Sequence, residues 1–68
     1  MSNHVYKIVR LAGSSPDGVE KAIENALSKA SESLRNIRWF TVEETRGQVD
    51  DGKIAHYQVV LSVGFTLE

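Results

Sequence analysis

The 68-residue sequence has no cysteine, two histidines and no long apolar run, and each shortage closes off a class of protein. Without cysteine there are no disulfides to staple a chain that, at this length, buries only roughly 60% of the surface its unfolded form exposes. His4 and His56 lie far apart, and neither stands in a ligand spacing such as i, i+4 on a helix, so no metal staple is expected. Oligomerisation remains as the way to support so thin a core. A formal net charge of -1 gives no basic footprint for nucleic acid or an anionic membrane. No apolar stretch approaches the roughly 20 residues of a spanning helix. Residues 1–4 are polar, and the apolar residues after them alternate with Lys7 and Arg10, so no signal peptide is expected and the cytoplasm is the default location.

What is present reads as β-α-β-β in a single domain, residues 1–68. Residues 5–11 are enriched in β-branched and aromatic side chains and form a first strand, apolar on both faces and so covered on both. Gly13-Ser14 breaks it. Ser15-Pro16-Asp17 is then a helix start, with Ser15 as N-cap, Pro16 at the first helical position and Asp17 against the positive end of the helix dipole. Val19, Ala22, Ile23, Ala26, Leu27, Ala30 and Leu34 recur at three- and four-residue intervals as one apolar stripe, whose alanines allow a close approach to a sheet. Asn36 is a left-handed stop.

Residues 37–46 make the second strand and 54–67 the third, joined through Asp51-Gly52, a preferred primed hairpin turn. The fold class is therefore α+β, a three-stranded antiparallel sheet packed on one helix. The third strand alternates most clearly: Tyr57, Val59, Leu61, Val63, Phe65 and Leu67 face the core. A register without bulges sets Phe40 opposite Val63 and Val42 opposite Leu61, core against core, with Trp39 opposite Gly64 and Gln58 opposite Thr45. Glu44 then falls opposite Val59 on the core face, a misfit that a bulge near Gly47 or a subunit contact would resolve.

Trp39 is the residue that organises this reading. It shares its face with Thr41, Glu43 and Thr45, where a lone small domain would leave the indole in water, and so large a ring calls for a partner: another subunit, a planar ligand, or both. The outer face also carries Gln58, Ser62 and Gly64. Gln58 has an amide able to read a donor and acceptor pair on a heterocycle, and Arg46 a guanidinium able to neutralise a phosphate; the plainer reading of each is a solvated strand residue. Ser14-Ser15 beside Gly13 is explained by capping before anion binding. His56 has no nucleophile or orienting carboxylate nominated near it, so catalysis is not supported.

Taken together, Gly13, Ser15, Arg38-Trp39-Phe40, Val42-Glu43, Arg46-Gly47, Tyr57-Gln58-Val59 and Val63-Gly64-Phe65 resemble the dodecins, small flavin-binding proteins of bacteria and archaea, over nearly the whole chain from residue 5 to 68. The resemblance implies a subunit assembled into a hollow, roughly spherical homododecamer that binds pairs of flavins, FMN or riboflavin, between symmetry-related subunits. It implies that Trp39 stacks on the isoalloxazine ring and that Gln58 hydrogen-bonds the flavin. It places Arg46 near the ligand's phosphate and Glu44 at the position of an acidic ligand contact. Thr66 departs from the pattern, standing where some bacterial relatives have an arginine that helps bind coenzyme A. The implied function is flavin storage and photoprotection without turnover; the alternative is a structural homo-oligomer in which Trp39 serves only as interface. Trp39 and Gln58 lie six residues apart along the strands, on the order of 20 Å, so one ring reaches both only if a bulge breaks the register or the site is shared between subunits.

Overall fold

The computed structural model describes residues 4–67. Three strands, β1 (Tyr6–Ser15), β2 (Ile37–Asp50) and β3 (Lys53–Thr66), and one helix, α1 (Val19–Ala30), follow in the order β1-α1-β2-β3. The sheet is antiparallel with the order β1-β3-β2, so β3 is central, which is why its alternation is the cleanest in the sequence.

The first strand runs past Gly13 instead of stopping before it. Gly13 pairs with Val59 inside the ladder, and a side chain there would strike the Ala22 carbonyl and come within 2.8 Å of the Ala26 Cβ. The glycine expected to end the strand thus lets the helix backbone approach the sheet closely at this point. Strand pairing holds Ser15 opposite Tyr57, buried, so it cannot serve as the helix cap. Its hydroxyl instead accepts the Asp17 N–H at 3.0 Å, closing a turn through Pro16, and the helix starts at Val19 behind Gly18. Asn36 does adopt a left-handed conformation, as do Asp51 and Gly52 at the hairpin tip.

Ala22 and Ala26 of α1 pack on Val59, Leu61 and Val63 of β3, with Val9, Leu11, Val19, Ile23, Leu27, Leu34 and Ile37 around them. The helix covers β1 and β3 and does not reach across β2. Phe40 and Val42, expected in the core, therefore remain 44% and 38% exposed although they pair with the buried Val63 and Leu61 as expected. Leu67, assigned to the core by alternation, lies beyond the last paired residue of β3 and is exposed. The outer face of β1 is likewise uncovered, with Tyr6 and Ile8 exposed. The chain is elongated, 56 × 20 × 13 Å, and its radius of gyration of 14.2 Å exceeds the about 11 Å of a compact chain this long.

Register decides what reaches the outer face. β2 carries extra residues at Arg38 and Glu43, and β3 carries one at Ala55. The bulges at Ala55 and Glu43 cancel, so Trp39–Gly64, Phe40–Val63 and Val42–Leu61 pair as expected, but between the bulges every pair is moved by one. Gln58 lies opposite Arg46 rather than Thr45, and Glu44 opposite Val60 rather than Val59. A one-residue slip exchanges faces. Glu44 and Arg46 accordingly leave the helix side and join Trp39 and Gln58, while Thr45 crosses to the helix side. The Glu44 misfit is resolved at Glu43, not near Gly47.

Candidate functional site

The outer face of the sheet carries two groups of side chains with a polar tether between them. At one end, Trp39 reaches from β2 across β3. The six-membered ring of its indole lies over Gly64, where any Cβ would collide with it, and the residue remains 39% exposed. Tyr6 of β1 meets the indole edge-on, with ring centroids 5.0 Å apart and planes at 66°. Arg38, the bulged residue beside Trp39, donates from Nε to the Thr66 hydroxyl at 3.0 Å. Thr66, the departure from the family pattern, is thereby a buried acceptor for this arginine.

At the other end, Arg46 Nε donates to Gln58 Oε1 at 3.0 Å, and its Nη1 lies 3.5 Å from Glu44 Oε2. The three predicted residues Glu44, Arg46 and Gln58 are thus joined in one chain. The arginine engages the carbonyl oxygen of Gln58, so the amide nitrogen is the group a ligand acceptor would meet. Trp39 is not part of this cluster: Gly64 beneath it and Gln58 are six residues apart on β3, on the order of 20 Å. The bulge changes which face Arg46 occupies, not its distance from the indole.

Between the two groups, Glu43 accepts a hydrogen bond from Ser62 Oγ and another from Arg10 Nε at 2.7 Å, linking all three strands. These bonds, the Ser62 hydroxyl first and then the Arg10 guanidinium, hold the Glu43 carboxyl below its ordinary pKa. Sequence reasoning set Glu43 on the Trp39 face without its partners, and missed Tyr6 and Arg10 as parts of that face. Alternation does place Tyr6 and Arg10 together, but which face of β1 meets Trp39 follows only from its pairing with β3.

Chemically, the face offers a partly exposed aromatic ring at one end and, on the order of 20 Å away, an amide with its nitrogen turned from Arg46 and a guanidinium able to pair with an anion. Among the described residues, no group of three or more histidine, aspartate or glutamate side chains gathers to hold a metal ion.

Comparison with known proteins agrees with the architecture. The Dodecin family model matches residues 5–68. The dodecin of Thermus thermophilus is 50% identical over 64 residues, covering 94% of this chain and 93% of its own. The solved dodecin of Streptomyces coelicolor superposes with a TM-score of 0.95 at 51% identity, covering all of this chain and 97% of the other. A protein of Mycobacterium tuberculosis named Calcium dodecin is 33% identical over 63 residues, covering 93% and 89% of the two chains. With nearly the full length matched in sequence, and the same β-α-β-β subunit in the solved dodecin, this chain belongs to the dodecin family.

Proposed function

We propose that this protein binds and stores flavin, FMN or riboflavin, without turning it over, and shields it from light. The observation that carries the reading is the lone tryptophan set over Gly64 and left partly exposed on the outer face of the sheet. A flavin bound there supplies an electron-poor ring, and stacked on the electron-rich indole its excited state is quenched by electron transfer. Gln58 holds a ring edge by its amide, Arg46 balances the phosphate of FMN, and Glu44 contacts the ligand while keeping Arg46 in place. The separation of Trp39 from the Arg46–Gln58 pair argues that one subunit supplies the indole and a neighbour supplies the amide, so binding belongs to a homo-oligomer, by family a dodecamer.

The relative named Calcium dodecin makes a divalent cation the competing ligand. Purification followed by absorbance and metal analysis separates the two. A flavin band near the visible blue, and deep quenching of FMN emission on titration, is the expected result; a colourless protein that neither binds nor quenches FMN would contradict the proposal.

A further inference from the structure

We propose that Tyr6 is a positioning residue for Trp39, holding the indole against Gly64 in the pose that a planar ligand stacks on. Backbone lies beneath its six-membered end, because Gly64 has no side chain, so no side chain at that position interlocks with the indole to fix its rotation. The neighbours of Trp39 on its own strand face are polar: Thr41, the bulged Arg38, which is engaged with Thr66, and the bulged Glu43, engaged with Ser62 and Arg10. Tyr6 is the aromatic side chain that meets the indole, edge to face at 5.0 Å. It can do so because Tyr6 pairs with Thr66 and the next outer residue of β1, Ile8, pairs with Gly64, which brings the phenol ring diagonally to the end of an indole that has crossed β3. A tilted edge contact sets the ring's orientation while Trp39 stays partly exposed for a ligand. This lowers the ordering cost that a freely rotating indole would add to binding.

The binding half of this inference rests on the flavin reading, whereas the ordering half does not. Both are tested on the full-length assembled protein with Tyr6→Phe, which keeps the ring, and Tyr6→Leu, which keeps apolar bulk without it. Because Trp39 is the only tryptophan, its near-ultraviolet circular dichroism in flavin-free protein reports the order of this one indole. Tyr6→Phe is expected to keep the band and to bind FMN within about twofold of the parent. Tyr6→Leu is expected to lose most of the band, to bind FMN about two- to tenfold more weakly, the size of one edge-to-face pair, and to quench it less completely. Light scattering should show both variants assembled as the parent is. An unchanged band and affinity in Tyr6→Leu, an equal loss in both variants, or dissociation of the Tyr6→Leu assembly would each overturn the proposal. A parent that binds no FMN, together with a Tyr6→Leu protein that still loses the band, would refute the flavin reading and leave Tyr6 as the orienting residue.

Discussion

At the scale of single residues, the outer face carries three arginines with three different attachments. Arg10 is held by Glu43 and Arg38 by Thr66, while Arg46 sits between Gln58 and Glu44. In the proposed site Arg46 has two roles, a charge for the phosphate and an orienting bond to the amide that reads the ring. Arg46→Ala should therefore weaken FMN more than riboflavin, the difference being the phosphate contact. For an exposed guanidinium already 3.5 Å from the Glu44 carboxylate, that difference is expected at about 1 kcal/mol, less than a charge-assisted hydrogen bond contributes when shielded from water, because solvent screens the contact. Parallel titrations of the two flavins measure it. Equal losses for both would confine Arg46 to orienting Gln58.

At the scale of elements, β2 is where local reasoning and the folded chain part. The hairpin turn, the left-handed Asn36, the alanine stripe and the Trp39–Gly64 pairing were legible because each depends on side chains near in sequence or on simple alternation. The bulges were not, since an extra residue in a strand leaves no mark on its apolar periodicity when the strand is exposed on both faces, as β2 is. Glu44 facing a core valine was the one sign of the slip, and it pointed to the right strand but the wrong residue. The N-cap assignment failed for a related reason: Ser15 fits a cap locally, but pairing with Tyr57 extends β1 through it.

The bulge at Glu43 also makes this element respond to pH. Folding lowers the carboxyl pKa from its ordinary 4.5, so Glu43 contributes stability that is fully present above that value and is lost as pH falls through the lower folded value. Thermal unfolding followed from neutral pH to about pH 3 should show a smaller acid loss in Glu43→Gln than in the parent, with the gap narrowing in high salt because the Arg10 pair is exposed. Superimposable pH profiles would remove Glu43 from this role.

At the scale of the whole molecule, the subunit leaves too much apolar surface bare to be the working unit. Phe40 and Val42 stand on the helix side beyond the reach of α1, and Val49 and Ile54 near the hairpin tip are 69% and 61% exposed. Such residues on an elongated subunit with a small core are what an assembly buries. If exchange is fast enough, thermal stability should fall on dilution, as mass action requires of subunits that depend on one another. Trp39 lies on the opposite face from Phe40, over Gly64, with Tyr6 at its side and the polar Arg38, Thr41 and Glu43 along its strand, which suits a ligand with a flat ring and polar edges better than a dry contact between subunits. The most direct test of that assignment is Trp39→Ala, titrated with FMN while flavin emission and light scattering are followed together. An assembly of parental mass that binds FMN far more weakly, and leaves what it binds fluorescent, is the predicted result. Dissociation, as expected from roughly 3 to 5 kcal/mol lost at a buried interface, or a variant that binds and quenches FMN as the parent does, would contradict it.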